Sequence, residues 1–133
     1  MSVSTVTRSN SALKIIGQIG EELAANYLQE QGFFIKDRNV YNRWGEIDIV
    51  AERKNKIHFV EVKTRIHTRQ GMPYEAIRIP KLTHLMRSIQ HYILLKQLYR
   101  YKMQLDVISI MLNADKSLLN LKVYENIHVD RFY

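Results

Sequence analysis

Residues 45–63 read GEIDIVAERKNKIHFVEVK, and the other predicted elements are arranged around this stretch. It contains two runs, 45–51 and 56–63, in which apolar and polar residues alternate and β-branched side chains are frequent. The residues between the two runs are all polar. Such a pattern predicts a β-hairpin, in which two antiparallel strands are joined by a tight turn.

The position of the turn decides which side chains of the hairpin face each other. If Lys54 and Asn55 form a two-residue turn, the register places Asp48 directly opposite Glu61. A turn shifted by one residue places Asp48 opposite Lys63 instead, so the prediction depends on the register. Two carboxylates facing each other with Cβ atoms about 5 Å apart repel by roughly 3 kcal/mol at an effective dielectric of about 20.

A divalent cation between the two carboxylates would offset this repulsion, because such ions take carboxylate oxygens as ligands. Lys63 lies two residues beyond Glu61 and therefore projects from the same face of the strand. A metal ion with a neighbouring ammonium group suits the hydrolysis of a phosphodiester. A surface hairpin with ordinary salt bridges, such as Glu46 to Lys63, explains the same spacing without a metal, and spacing alone leaves both interpretations open.

The remaining elements predict a small α/β domain. A helix at 11–31 carries an apolar stripe and is stopped by Gly32, and a second helix starts near Pro80. Together with the hairpin, strands at 33–40, 103–112 and 118–124 give the order α-β-β-β-α-β-β. This order predicts a central mixed five-stranded sheet flanked by helices.

Short sequence words along the chain are more specific than the spacing. Asp48 followed by Glu61-Val62-Lys63 resembles the PD-(D/E)xK nuclease signature, with Ile47 in the position of the proline. The surrounding words resemble the YraN family of small bacterial proteins, which is similar to Holliday junction resolvases. The words are Gly20-Glu21, Arg38-Asn39, residues 45–51, residues 59–65, Gly71-Met72-Pro73 and Glu75-Ala76. The pattern departs from the family at Gln104, where an arginine is usual, which puts a basic contact from that position in doubt.

This resemblance implies a restriction-endonuclease-like fold and a metal-dependent DNA endonuclease, acting on branched or recombination DNA. Asp48 and Glu61 would bind Mg²⁺ or Mn²⁺, and the backbone carbonyl of Val62 would be a further ligand. Lys63 would stabilise charge on the phosphate or position the attacking water. A glutamate of the first helix completes the site in similar nucleases, so Glu21 is expected to be the third acidic ligand.

The composition agrees with one domain, placed at 11–133 behind a flexible tail at 1–10. The chain has 133 residues, of which 46% are hydrophobic, and no cysteine, which excludes disulfides and thiolate sites. We find no apolar run of membrane-spanning length and no signal-peptide pattern, and therefore expect a cytoplasmic protein.

A formal net charge of +7 and a pI near 9.7 favour a nucleic-acid partner. Arg65 shares the strand face of Glu61 and Lys63, and we expect it to contact phosphate from a basic loop at 64–73. Four further residues are candidates for the same role, namely Arg38, Arg43, Arg69 and Lys81. For each of them, a solvated surface charge is the simpler alternative.

Two other functions remain open. The protein could be a nucleic-acid-binding module without catalysis, which uses the nuclease fold as a scaffold for a recombination or DNA-uptake partner. It could also be a structural protein with coincidental carboxylates. A homodimer would suit symmetric cleavage of a junction, although no stretch of the sequence identifies an interface. Metal binding separates the nuclease from both alternatives.

Overall fold

The computed structural model describes the backbone of residues 2–67 and 79–127 and the side chains of residues 11–67 and 82–127. The elements are α1 (Ser2–Glu30), β1 (Phe34–Asn42), β2 (Gly45–Arg53), β3 (Lys56–Ile66), α2 (Ile79–Lys96), β4 (Lys102–Leu112) and β5 (Leu118–Tyr124). The strands form one sheet in the order β1-β2-β3-β4-β5, in which β3 and β4 pair in parallel and the other neighbours antiparallel. The predicted fold class and element order are confirmed.

The β2–β3 hairpin has the register predicted for a two-residue turn. Its ladder starts at the pair Arg53–Lys56 and continues to the pair Ile49–Val60. The two turn residues have φ angles of 52° and 61°. Positive φ at both central positions belongs to the turn type whose twist matches that of the flanking strands, which explains why the register is held.

Two hydrophobic cores sandwich the sheet, one under each helix. The core under α1 consists of Ala24, Ala25, Leu28, Ile49, Ala51, Val60, Ile108, Ile110 and Leu112. The core under α2 consists of Ile47, Val50, Ile57, Phe59, Leu82, Leu85, Ile89, Tyr92, Leu98 and Leu105. Since both faces of the central strands are covered, β2 and β3 carry apolar residues in nearly continuous runs.

The ends of α1 differ in how well the sequence predicts them. Gly32 follows the helix with a φ of 88°, and the Phe33 N–H donates to the Leu28 carbonyl at 3.0 Å, so the predicted glycine stop is confirmed. The helix begins at Ser2 and not near Ser11. Residues 2–10 contain neither glycine nor proline, so no residue type there breaks a helix. The division of the chain into a tail and a single domain stays a prediction.

Strand β3 is longer than predicted. It pairs with β4 in parallel as far as Ile66, opposite Leu112. Thr64 and Arg65 therefore lie in a strand, and the expectation that the loop begins at Thr64 was wrong. Residues 68–73 of that predicted loop lie outside the described residues.

Helix α1 approaches β3 most closely at Gly20. A Cβ atom placed on Gly20 would overlap the side chain of Thr64, whereas a Cβ atom on Gly17 would meet nothing within 4 Å. Only a glycine therefore allows the helix to lie at this distance from the strand, and the contact fixes the height of the next residue, Glu21, above the sheet.

A buried hydrogen-bonded pair lies in the half of the sheet away from Lys63. His58 Nδ1 donates to Asp106 Oδ2 at 2.7 Å, and both side chains are buried. Gln104 Nε2 and the Asn126 N–H donate to the other oxygen of Asp106 at 2.7 and 2.9 Å. Although burial acts to raise it, these hydrogen bonds hold the pKa of Asp106 below its usual value of 3.8. Gln104 therefore supports a buried carboxylate.

Replacing Gly20 and Gly17 separately tests the close approach of α1. Gly20→Ala should destabilise the protein by about 1–3 kcal/mol, because overlap with Thr64 outweighs the better helix propensity of alanine. Gly17→Ala has the same propensity gain without the overlap and should stabilise the protein by up to about 1 kcal/mol. Urea unfolding followed by circular dichroism measures both. Equal gains in stability would contradict the packing described here.

Asp106→Asn should lower the free energy of unfolding at neutral pH by on the order of 2 kcal/mol. Because the pKa of Asp106 is lower in the folded protein than in the unfolded chain, its stabilisation is present above the usual value of 3.8 and is lost as the pH falls below it. The difference between wild type and variant should therefore narrow towards pH 3. A difference that is independent of pH would show that the charge of Asp106 is irrelevant.

Candidate metal and nucleic-acid site

A cleft of about 420 Å³ opens at the end of the sheet that is farthest from the β2–β3 turn. Residues of α1 and α2 form its walls, and the ends of β2 and β3 form its floor. The lining residues are Leu13, Ile16, Gly17, Glu21, Trp44, Gly45, Glu46, Asp48, Glu61, Val62, Lys63, Thr64, Arg65, His84 and Leu85. The cleft therefore brings together the predicted acidic residues and the predicted lysine.

Asp48 lies on the floor of this cleft, immediately after the last pair of the hairpin ladder. At this point the N–H of Val62 donates to Asp48 Oδ2 at 2.8 Å, so a side chain accepts a hydrogen bond from the neighbouring strand. The ladder register, continued by one residue, places Asp48 opposite Glu61 as predicted. Both carboxylates are buried, at 8% and 5% exposure.

Strand β2 changes its pattern of faces around Asp48. Ile47 packs in the core under α2 together with Val50, whereas Ile49 packs under α1. Strict alternation would put Ile47 and Ile49 on the same side of the sheet. The neighbouring strand is irregular at the same height, since Asn39 has a φ of 51°. This irregularity accompanies the position of Asp48 at the sheet end, near the carboxylate from α1.

Three carboxylates converge in the cleft. One oxygen of each of Glu21, Glu46 and Asp48 lies within 4.8 Å of the others. With its amide nitrogen turned towards them, Asn39 donates to Glu21 Oε2 and to Glu46 Oε1 at 2.8 Å each. Asparagine tolerates the left-handed backbone of this position better than most residues, so Asn39 can hold two of the three acids in place.

Glu61 and Lys63 complete the acidic floor with a cation. Lys63 Nζ lies 3.8 Å from Glu61 Oε1, and the two side chains are 18% and 6% exposed. Because they are two residues apart on β3, they share a strand face, as the sequence predicts. The lysine therefore stands at the edge of the acid cluster with its ammonium group inside the cleft.

Burial and mutual repulsion shift the pKa values of these carboxylates. Burial, followed by the negative charge of Glu61, raises the pKa of Asp48 to about 8, and the Val62 N–H opposes this rise. Burial and the charge of Glu46 also raise the pKa of Glu21. Carboxylates whose charged forms are disfavoured in this way gain most from a bound cation.

The donor set fits a hard divalent cation. The converging side chains offer carboxylate oxygens, the ligand type that Mg²⁺ and Mn²⁺ prefer, and one oxygen from each of three side chains is already close to the others. The predicted ligands Glu21 and Asp48 belong to this group, and Glu61 lines the same cleft. None of these three converging side chains is a histidine or a cysteine, the residue types that favour a softer metal.

The arginines that the sequence predicts to contact phosphate lie at different places relative to the cleft. Arg65 lines the cleft, and its Nη1 donates to the Thr64 carbonyl at 2.8 Å. The Arg43 guanidinium lies over the ring of Trp44, 4.5 Å from its centre. Arg38 Nη1 lies 3.0 Å from Glu22 Oε2, and Arg38 is not among the lining residues, although its charge opposes the rise in the pKa of Glu21. Arg69 lies outside the described residues, and the side chain of Lys81 is not among those described. All five nucleic-acid contacts stay predictions.

Glu46 and Asn39 are the residues that the sequence analysis missed. The sequence analysis considered Glu46 only as a salt-bridge partner of Lys63, and the change of faces around Asp48 means that strict alternation could not predict that Glu46 and Asp48 meet. Asn39 belongs to the Arg38-Asn39 pair that resembles the family. Its hydrogen bonds to the two glutamates depend on the irregular backbone of β1, which has no sequence signature. Both residues enlarge the acid site that the sequence predicts.

A five-stranded mixed sheet with a helix on each face and an acidic cleft at one end defines a protein of the restriction-endonuclease-like architecture. Residues 20–110 match the model of the uncharacterised protein family UPF0102. The chain belongs to this family, which is the YraN family that the sequence words indicate.

Bacterial relatives match most of the chain. A UPF0102 protein of Clostridium botulinum (strain 657 / Type Ba4) is 40% identical over 114 residues, which are 85% of this chain and 93% of the relative. A UPF0102 protein of Syntrophomonas wolfei is 41% identical over 105 residues, which are 79% of this chain and 91% of the relative. In the part of the chain that the structure describes, no helix combines the length and apolar character needed to cross a membrane.

Asp48→Asn tests whether the acid cluster is strained without a cation. At pH 7 in the presence of EDTA this variant should be more stable than the wild type by about 1–2 kcal/mol, because the wild-type carboxyl, whose pKa is raised to about 8, must take up a proton when the chain folds, whereas asparagine is always neutral. Mg²⁺ or Mn²⁺ should raise the melting temperature of the wild type and leave that of the variant nearly unchanged. Thermal unfolding measures both effects.

Glu22→Gln is the matched control, because Glu22 follows Glu21 on α1 and is 60% exposed in its ion pair with Arg38. This variant should keep the full response of the melting temperature to the metal ion. A wild type whose stability is insensitive to both ions would contradict a cation site.

Proposed function

We propose that this protein is a metal-dependent endonuclease that hydrolyses phosphodiester bonds of DNA. The observation that carries the proposal is the convergence of Glu21, Glu46 and Asp48 in a cleft where Lys63 lies beside Glu61. Three acids and an ammonium group at one end of a strand pair suit the metal-dependent hydrolysis of a phosphodiester. The resemblance to the PD-(D/E)xK signature supports the same chemistry.

Asp48 and Glu61, with Glu21 and the carbonyl of Val62, would hold Mg²⁺ or Mn²⁺, and Glu46 is added to this set because of its position. The bound ion would polarise the scissile phosphate and lower the pKa of a water molecule. Asp48 is fixed by the Val62 N–H, so its second oxygen has a defined direction. A fixed ligand costs little reorganisation when the substrate binds.

Lys63 is the residue proposed to act on the phosphate itself. Its side chain is largely buried, and its ammonium group is held near Glu61 Oε1. In this position it can donate to a non-bridging oxygen whose negative charge grows during the attack, or orient the water that attacks. A partly buried ammonium group stabilises such charge more strongly than one in bulk water.

DNA is the proposed substrate because the chain as a whole is basic, although the floor of the cleft is acidic. The net charge of +7 favours a polyanion, and Arg65 lines the cleft beside the proposed reaction site. Lys81, Arg38, Arg43 and Arg69 are further proposed contacts. Branched or recombination DNA is proposed from the resemblance to resolvases, and a homodimer would place two such sites on a symmetric junction.

A cleavage panel tests the proposal. Linear, flapped and four-way DNA are incubated with Mg²⁺ or Mn²⁺ and the wild type, Asp48→Ala or Lys63→Ala. We expect the wild type to cut at least one of these substrates, and each variant to be slower by about 10²-fold or more, because each lacks a group that acts on the transition state. Lys56→Ala is the matched control, since Lys56 lies at the opposite end of β3, and it should retain activity.

Failure of the wild type to cut any substrate with either ion would overturn the nuclease proposal. DNA binding without cleavage would favour the alternative of a nucleic-acid-binding module that serves a recombination or DNA-uptake partner. Circular dichroism of each variant, compared with that of the wild type, shows whether a loss of activity reflects a loss of folding.

A further inference from the structure

The turn between β1 and β2 is tied to helix α2. Asn42 Nδ2 donates to the Ser88 carbonyl at 3.3 Å, and Ser88 Oγ donates to Asn42 Oδ1 at 3.1 Å. The same Asn42 oxygen accepts the N–H of Trp44 at 2.9 Å. Ser88 is fully buried, so this link is shielded from water. It fixes the turn residues Arg43 and Trp44 beside the part of α2 that carries Arg87.

The link brings two arginines onto one indole ring. The Arg43 Cζ lies 4.5 Å and the Arg87 Cζ lies 5.0 Å from the centre of the Trp44 ring. Both arginines are exposed. Among the residues whose side chains the structure describes, neither guanidinium has an ion pair or hydrogen-bond partner. We refer to these three residues as the Arg43–Trp44–Arg87 stack.

An arginine that lies over an aromatic ring keeps its hydrogen-bonding edges available. The ring attracts the guanidinium by a cation–π interaction and restrains its orientation, while the N–H groups point outward from the edge of the plane. Two such groups on one ring are two positive charges held close together, which an anion with several acceptor oxygens would stabilise. A phosphodiester group has this chemistry.

The stack also stands in the right place for a strand that enters the cleft. Trp44 itself lines the cleft, and so does His84, one helical turn before Arg87 on α2. The floor carries Glu21, Glu46, Asp48 and Glu61, which repel phosphate, so a strand needs positive charge at the rim. The stack supplies such charge on the α2 side, across from the residues of α1.

We propose that the Arg43–Trp44–Arg87 stack binds the backbone phosphate of a nucleic-acid strand and guides this strand over the acidic floor. The inference rests on the proposed function for its substrate class. It adds Trp44 and Arg87, and it joins them to Arg43 as one preorganised contact. Because the contact is to phosphate, it is independent of base sequence.

Binding is measured by the fluorescence anisotropy of a labelled single-stranded DNA in EDTA, where metal-dependent cleavage cannot occur. Arg87→Gln and Arg43→Gln should each weaken binding by about fivefold at low salt. Each variant should also reduce the slope of log affinity against log salt concentration by about 0.7, the value for one phosphate contact on a single strand. An RNA of the same sequence should show the same losses, because phosphate is common to both polymers.

Arg53→Gln is the matched control. Arg53 also lies over an aromatic ring, with its Cζ 4.1 Å from the centre of the Phe33 ring. It is the last residue of β2 and therefore lies at the opposite end of this strand from Trp44. This variant loses the same charge and the same kind of stack, and it should leave both affinity and salt slope unchanged. Trp44 is the only tryptophan in the chain, so its emission is expected to change on addition of DNA to the wild type and to the Arg53→Gln variant.

Three results would overturn the inference. The first is an affinity and a salt slope of Arg87→Gln that match those of Arg53→Gln. The second is Trp44 emission that does not respond to bound DNA. The third is a loss of affinity for only one of the two polymers, which would mean that the stack reads sugar or base. A wild type that binds DNA through the stack but cuts no DNA would uphold the inference and overturn the nuclease proposal.

Discussion

The register of the β2–β3 hairpin is the constraint on which the cleft depends. The turn has a backbone that suits twisted strands, and the pairs from Arg53–Lys56 to Ile49–Val60 follow from it. A slip of the pairing by one residue would turn the side chains of one strand to the other face and would place Asp48 opposite Val62 and no longer Glu61. Such a slip would also move apolar residues out of both cores, and it is therefore strongly opposed by packing. Core packing and the geometry of the acid site are thus fixed by the same set of hydrogen bonds.

The acid cluster lowers the stability of the fold that holds it. Asp48 is buried beside Glu61, and its raised pKa shows that ionisation is disfavoured there. Two features reduce this cost without removing it, because Asn39 donates to two of the acids and the Val62 N–H donates to Asp48. The two cores, one on each face of the sheet, hold the carboxylates together in spite of their repulsion. A bound cation would offset the repulsion among these carboxylates. A cluster that lowers stability without a cation is consistent with a ligand site and hard to explain as a structural feature.

Local patterns predict the elements of this fold better than they predict how the elements end and meet. The hairpin, the glycine stop of α1 and strand β5 follow from alternation, turn residues and periodicity, which are local properties. The extension of β3 to Ile66 depends on pairing with β4, which lies more than thirty residues away in the sequence, so no local pattern shows it. Asn39 reaches the acids through a left-handed backbone within β1, which alternation cannot indicate. The approach of Glu21 was predicted from a family word, and its physical cause, the contact of Gly20 with Thr64, required the packing of α1 on the sheet.

The cleft separates opposite charges over a short distance, and this separation constrains how a polyanion can bind. The acidic floor repels phosphate unless a cation neutralises it, whereas the arginines at the rim attract phosphate whether or not a cation is present. In the proposed function, long-range attraction by the net charge of +7 would bring nucleic acid to the protein, but it would not decide where the strand lies. The position of the strand would depend on charges that are held in a fixed orientation. The hydrogen bonds between Asn42 and Ser88 fix the turn that carries Arg43 against α2. In the proposed function, binding of the strand and neutralisation of the floor would therefore be separate electrostatic requirements, met by different residues, so that either could be removed while the other remains.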